Sequence, residues 1–342
     1  MTRTQEHTIS LTRAALTGQA PRIGCLCEQE WLDIYAFARK HGVSALCYHA
    51  VLQLPKDQQP PKKLFLQWGL SYETTIQRSK QQKNAALKLW KNAHDMHVDI
   101  SILKGLSIAR YYPNPELREC GDIDIYCFGK HHDLNRWIEK QGIPVDYGNK
   151  RHSIFTIYHT TVENHGYFLY AGKAPEEVSL EKFLVGEALK DLHENPDSLL
   201  LGTPLGTAVF FLKHAEKHFV FDRTNIQLRS LCDWAMMLKS GTFDYHELKK
   251  NITGNSIERF ADMMTFLCVE LFGLPEDLCK GLQPFPKKVI DDTKQLIFSY
   301  QHQTEKRGTF SGRLQRFFKY FKYQKTYRFI FGKNIIKWYY FS

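Results

Sequence analysis

The stretch from Leu117 to Gly129 reads L-R-E-C-G-D-I-D-I-Y-C-F-G and sets two aspartates into a short apolar run. Side chains of a β-strand alternate between its faces, so Asp122 and Asp124 should project from one side while the two isoleucines project from the other. Their Cα atoms would lie about 6.6 Å apart, which lets both carboxylates reach one cation. The stretch therefore predicts a strand that is buried on one face and holds a cation on the other.

Length and composition place the chain among globular proteins. Its 342 residues predict two to three compact units, and the 43% hydrophobic and 24% charged content is ordinary for a protein with a large core. The eight cysteines contain no C-x-x-C pair, which argues against a zinc ribbon and against a dense disulfide framework. No secretory signal and no run of about 18 apolar residues is visible, so we expect a cytoplasmic protein.

The positive charge is concentrated at one end of the chain. Residues 306–342 hold ten of the 46 lysines and arginines and no acid, so removing them leaves 36 basic against 36 acidic residues. Bases recur every third residue from Arg313 to Arg328, between phenylalanines and tyrosines. Such a segment suits an anionic membrane surface, where each base contributes about 1 kcal/mol. A spacing of three drifts about 60° per step around a helix, so the alternatives are a terminal helix that packs on the body and, third, nucleic-acid binding.

Hydrophobic periodicity predicts an α+β fold, with a small mixed β-sheet core between helical regions. The pattern is helical up to about residue 97, strand-like from Val98, and helical again after a polar stretch that ends near Ser198. Strands are predicted at the aspartates, near Ile143–Val145, and in a hairpin formed by S-I-F-T-I-Y-H and T-V-E-N-H-G-Y-F-L-Y. The predicted segments are a helical region (1–97), an α/β core (98–198), a helical domain (199–304) and a basic aromatic tail (305–342).

Two further motifs border the aspartate strand. Lys104 and Gly105 lie where a strand gives way to a helix, a place where backbone N–H groups and a lysine favour a phosphate. In V-E-N-H, Glu163 shares its strand face with His165, so pairing beside the aspartates would complete a cup of three carboxylates. Such a cup suits Mg²⁺ brought in with a substrate phosphate. Asp146, on a shorter predicted strand, is the rival third acid.

The order of these motifs resembles an uncharacterised bacterial nucleotidyltransferase family of the polymerase-beta-like superfamily. Its pattern of L-K-G, R-x-x-x-D-I-D-L, V-E-L-H-W, paired histidines and L-R-x-x-x-D appears here as L-K-G, R-E-C-G-D-I-D-I, V-E-N-H, H-A-E-K-H and L-R-S-L-C-D. The chain departs from it at Asn164 and Gly166, which replace an aliphatic residue and a tryptophan. The resemblance implies Mg²⁺ or Mn²⁺ on Asp122, Asp124 and Glu163, and a nucleoside triphosphate as co-substrate near Lys104, Gly105 and Arg118.

The resemblance, and for His152 a place on the hairpin near Glu163, suggest residues that contact substrate, each with a structural alternative. Arg118 either binds phosphate or balances neighbouring glutamates, and a histidine on the hairpin either contacts substrate or is a core group. The spacing of H-A-E-K-H differs from the H-E-x-x-H of metalloproteases, and an arginine–aspartate pair can simply join two helices. The predicted substrate-contacting residues are His152, His165, His214, His218, Arg229 and Asp233.

The implied reaction transfers a nucleoside monophosphate to a hydroxyl group and releases pyrophosphate. The acceptor is a small molecule, a sugar or a protein, and the sequence does not choose among them. The alternative is a catalytically inactive scaffold whose tail, residues 306–342, docks on a membrane or a partner, which would make the protein peripheral at the inner membrane surface. Tailing of RNA is disfavoured, because the neutral body lacks the basic groove that a nucleic acid needs.

Overall fold

A computed structural model describes residues 1–148, 151–169, 174–221, 226–299, 310–334 and 336. Its helices and strands are, in chain order, α1 (Arg3–Thr17), α2 (Glu28–Lys40), α3 (Ser44–Val51), α4 (Lys62–His94), β1 (Ser101–Ile102), α5 (Leu106–Ala109), β2 (Ile123–Tyr126), α6 (His131–Lys140), β3 (His152–Ile157), β4 (Thr160–His165), α7 (Pro175–Glu194), α8 (Pro204–Phe221), α9 (Leu228–Ser240), α10 (Tyr245–Ile252), α11 (Ile257–Phe272), α12 (Lys287–Phe298) and α13 (Phe310–Phe331).

The described residues group into two compact units. The first takes in Met1–Leu70, Leu212–Lys239 and the described part of Gly254–Ser342, and the second takes in Ser71–Phe211 and Ser240–Thr253. The α+β class and the mixed sheet are confirmed, whereas the predicted division into four segments stays a prediction. No helix within the described ranges is both long enough and apolar enough to cross a membrane.

The first unit is helical, and a turn at His41-Gly42 separates α2 from α3. Gly42 has a φ of +65°, which a side chain rarely adopts, and a Cβ there would lie 3.3 Å from the Arg229 guanidinium. The indole of Trp68 is buried and donates a hydrogen bond of 3.0 Å to the carbonyl of Ser44. Its ring packs against Trp31, with 6.4 Å between the ring centroids.

The second unit is built on a four-stranded sheet in the order β1-β2-β4-β3. β2 and β4 are parallel, while β1 and β3 run antiparallel to their neighbours. One face of the sheet is the apolar core: Ile123, Ile125 and Val162 pack in a buried cluster with residues of α4 and α6. Because faces alternate along a strand, the acids of β2 and β4 lie on the opposite face.

Two local predictions are wrong. No strand forms over Ile143–Val145, and a single bridge joins the adjacent Asp146 to Ile154. The polar stretch before Ser198 contains the 20-residue helix α7, which begins at Pro175. Its buried side chains are few, Leu180, Leu184, Ala188 and Asp191, so the helical period is hidden among charged residues.

Candidate metal and nucleotide site

The register of the two parallel strands brings the acids together. Asp124 on β2 pairs directly with Glu163 on β4, and Asp122 precedes β2 on the same face. Each of the three carboxylates offers an oxygen, and these oxygens all lie within 4.8 Å of one another. Asp146 takes no part in this cluster, and its Oδ1 instead accepts a hydrogen bond of 2.7 Å from the backbone of Gly148.

Lys104 contacts the innermost acid rather than projecting into open solvent. It follows β1, and its Nζ donates to Asp124 Oδ1 across 2.9 Å. The lysine side chain is 20% exposed and the aspartate side chain 1%. Burial opposes the charged ammonium, but the carboxylates of Asp124, Asp122 and Glu163 outweigh it and raise the pKa of Lys104. The pair is thus a buried ion pair at the floor of the site.

His165 joins two of the acids. Its Nε2 lies 3.1 Å from Asp124 Oδ1 and 3.5 Å from Glu163 Oε2. Burial disfavours the charged ring, but the hydrogen bonds to both carboxylates prevail and raise the pKa of His165. The hydrogen bond from His165 to Glu163, more than any other contact, lowers the pKa of Glu163 to about 2. His165 is therefore a donor that fixes the positions of two carboxylates.

His152 lies across the strand pair from His165. The two residues are register partners on β3 and β4, and their ring centroids are 4.9 Å apart. The Nε2 of His152 is 3.7 Å from Glu163 Oε1, and burial lowers the pKa of His152. One ligand atom each from His152, Glu163 and His165 also fall within 4.8 Å of one another. Because Nε2 of His165 donates to carboxylates, the three carboxylates are the better candidate set for holding an ion.

The buried aspartate supplies the observation that tests the fit of a metal. Asp124 is fully buried, and its Oδ2 makes no hydrogen bond to any described residue. A buried carboxylate oxygen without a partner is costly, and a cation would satisfy it. Three carboxylate oxygens are the donors that hard divalent ions prefer. The residues present therefore fit Mg²⁺ or Mn²⁺.

The glycine after Lys104 has a packing reason. Gly105 has a φ of +68°, and a Cβ there would lie 2.7 Å from the sulfur of Cys120 and 3.6 Å from the carbonyl oxygen of Asp122. The following helix, α5, has only four residues. Gly105 thus lets the first strand pass close to the aspartate segment. Its predicted role in phosphate binding stays a prediction.

Two arginines lie near the acids along the chain or in space. Arg118 is only 7% exposed, and its predicted contact with phosphate stays a prediction. Arg151 was not singled out from the sequence, although this residue directly precedes strand β3, which borders the site. Burial lowers the pKa of Arg151, and the carboxylates of Glu163 and Glu181 oppose that shift. It is therefore a half-buried cation within electrostatic range of the site.

The remaining predicted residues belong to the first unit. His214 and His218 lie one turn apart on α8, with their Nε2 atoms 2.9 Å apart. Arg229 packs against the α2–α3 break, and Asp233 is buried on α9. The prediction that these four residues contact substrate stays a prediction.

Comparison with protein families agrees with this arrangement. The family described as an uncharacterised nucleotidyltransferase matches residues 28–273, well over half of the chain. The match begins at α2 and ends after α11, so it contains the whole sheet and all three acids. No curated protein and no solved structure matches the chain. The chain belongs to this uncharacterised nucleotidyltransferase family.

Proposed function

We propose that the protein is a Mg²⁺- or Mn²⁺-dependent nucleotidyltransferase that moves a nucleoside monophosphate from a triphosphate to a hydroxyl group. One observation carries the proposal: Asp122, Asp124 and Glu163 present oxygens within 4.8 Å of one another in a chain of a nucleotidyltransferase family. The acceptor oxygen would form a bond to the α-phosphorus while the bond to the bridging oxygen breaks, and pyrophosphate would leave.

The three acids would hold the metal. Once bound, Mg²⁺ would neutralise phosphate charge and act as a Lewis acid toward a phosphoryl oxygen. Glu163 remains a carboxylate well below neutral pH, because its pKa is lowered to about 2. It is therefore a good oxygen ligand and a poor proton acceptor at neutral pH. His152, whose pKa is lowered by burial, is neutral at pH 7 and is the better acceptor for the hydroxyl proton.

Lys104 and His165 would set the geometry. Both donate to Asp124 Oδ1, so this oxygen is fixed from two sides and the site is organised before the nucleotide arrives. When an ion supplies positive charge to the same carboxylate, the lysine charge becomes available to the triphosphate. We therefore assign His165 to positioning and keep Lys104 as the phosphate contact.

The acceptor is best sought without assuming its class. Purified protein is incubated with triphosphates labelled on the α-phosphate or on the γ-phosphate, Mg²⁺ and a cell extract. Label should pass to an acceptor from the α-position alone, and D122N and E163Q should abolish transfer. D197N is the matched control, because Asp197 lies in the same unit and its side chain is 90% exposed.

Each outcome of that experiment has a defined meaning. Transfer of the γ-label would show that the protein transfers a phosphoryl group and not a nucleotidyl group. Transfer that persists in D122N and E163Q would remove the three acids from the chemistry. The absence of transfer from either label, with every small-molecule, protein and RNA fraction of the extract tested, would favour the inactive scaffold.

A further inference from the structure

Helix α13 has one buried side, which contains its tyrosines. Tyr320 and Tyr327 are fully buried, and their hydroxyl groups donate to the carbonyls of Val220 at 2.7 Å and of Phe219 at 3.3 Å. Thr326, on the same side, donates to Asp292 across 2.6 Å. This side packs the helix on the first unit. For the tyrosines, this agrees with the alternative of a terminal helix that packs on the body of the protein.

The opposite side of α13 is exposed. Phe318 and Phe321 are each 59% exposed and Phe317 is 40% exposed, and the rings of Phe317 and Phe321 stack at a centroid distance of 6.4 Å. Lys322, Lys325 and Arg328 are exposed and continue this side toward the helix end. We call these six residues the outer face of α13. Exposed phenylalanines that touch one another are unusual on a surface with no partner.

The drift expected from a spacing of three does not scatter these bases. Three bases that are each about 60° apart span only about 120° of the helix. The buried tyrosines occupy the other side, so all three bases remain in solvent. The surrounding sequence adds no opposing charge, because residues 306–342 contain ten bases and no acid.

We propose that the outer face of α13 docks on an anionic lipid surface. A cluster of phenylalanines followed by cations is the arrangement of a helix that lies in the membrane interface, with rings in the headgroup region and bases at lipid phosphates. Phenylalanine rings that already contact one another suit a continuous apolar medium better than they suit stacking with individual nucleobases.

The test uses the full-length protein and vesicles of stated composition. Protein is sedimented with vesicles of phosphatidylcholine alone or mixed with phosphatidylglycerol. Wild type should sediment only with the anionic vesicles. K322S/K325S should weaken the partition coefficient about thirtyfold, since each base near the surface contributes about a fivefold factor. F318S/F321S should also lose binding, and F318L/F321L should keep it.

A matched control tests whether binding depends on the outer face of α13 or on any pair of exposed lysines. Lys80 and Lys83 on α4 are exposed and three residues apart, like the lysine pair of α13, so K80S/K83S should bind as wild type does. Circular dichroism and thermal unfolding show that each variant is folded. Equal sedimentation of wild type and F318S/F321S would overturn the proposal. So would binding to RNA at a salt concentration where anionic vesicles do not bind.

Discussion

The ammonium group of Lys104 lies 2.9 Å from Oδ1 of Asp124, and the aspartate side chain is almost fully buried. His165 approaches the same oxygen at 3.1 Å. In the metal-free protein these two donors supply the positive charge that the buried aspartate requires. The other oxygen of Asp124 makes no hydrogen bond within the described chain, so the carboxylate is only half satisfied.

The first prediction concerns the ion pair. K104M leaves the charge of Asp124 buried without its strongest partner, so the metal-free protein should lose about 3 kcal/mol of stability. Mg²⁺ or Mn²⁺ should restore part of the loss, because the ion places a positive charge beside the same carboxylate. Denaturant unfolding in EDTA and in Mg²⁺ measures both effects. K83M, at an exposed lysine, is the control. Equal stability of K104M and wild type in EDTA would show that the pair is not structurally important.

The second prediction is that His41 makes the protein less stable in acid. Burial, with a smaller contribution from Lys40, lowers the pKa of His41 to about 3, and its Nδ1 accepts a hydrogen bond of 3.2 Å from the backbone of Leu228. The unfolded chain takes up this proton below about pH 6.5 and the folded chain does not, so stability falls as the pH falls from about 6.5 toward 3. At pH 5 this group accounts for a loss of about 2 kcal/mol.

A substitution isolates that histidine. In H41N the amide oxygen can accept the same hydrogen bond and does not titrate. The difference in unfolding free energy between pH 7 and pH 5 should therefore be about 2 kcal/mol smaller in H41N than in wild type. An identical pH dependence in the two proteins would mean that other groups produce the acid sensitivity.

The sequence could predict features that depend on local periodicity, and it could not predict contacts between segments that are distant in the chain. The common face of Asp122 and Asp124 depends only on alternation along one strand, so it could be predicted from the sequence. The pairing of Asp124 with Glu163 depends on strand register between distant segments, which the sequence suggested only through a resemblance. The pairing of Lys104 with Asp124 depends on the antiparallel contact between β1 and β2, and no local pattern reveals it.

The site also depends on polar residues that periodicity does not detect. Asn164 lies on the core face, where its amide donates to Asn135 Oδ1 at 2.8 Å and to the backbone of His131 at 3.0 Å. Its own oxygen accepts from Cys127 at 3.3 Å. From the sequence this residue is only a departure from an aliphatic pattern, because the hydrogen-bond partners come from other elements.

The third prediction tests this buried network. N164L should destabilise the protein by about 2 kcal/mol, since it removes the hydrogen bonds that the Asn164 amide donates to Asn135 and His131 and the one that it accepts from the buried Cys127 thiol. Chemical denaturation measures the change. Asn251 donates to a helix carbonyl but is exposed, so N251L should change stability by less than about 0.5 kcal/mol. Two equal effects would mean that burial of the network contributes nothing.

The fourth prediction concerns the close approach of Gly105 to Cys120. G105A should destabilise the protein by about 1 to 3 kcal/mol from backbone conformation alone, because φ is +68° and ψ is −101°. The 2.7 Å contact of its Cβ with the cysteine sulfur should add to this loss. C120A should be close to wild type in stability. The double variant should recover the contact part and keep the backbone part, which a double-mutant cycle separates. Strict additivity would exclude the contact.

The proposed function requires three carboxylates that bind a metal–triphosphate complex together. Titration calorimetry with a non-hydrolysable triphosphate, in Mg²⁺ and in EDTA, measures this directly for wild type, D122N, E163Q and the exposed control D197N. We predict binding only with metal, weakened about tenfold or more in D122N and E163Q and unchanged in D197N, since loss of even an indirect partner costs a metal site that much. Binding of equal affinity in EDTA, or in D122N and E163Q, would contradict the account.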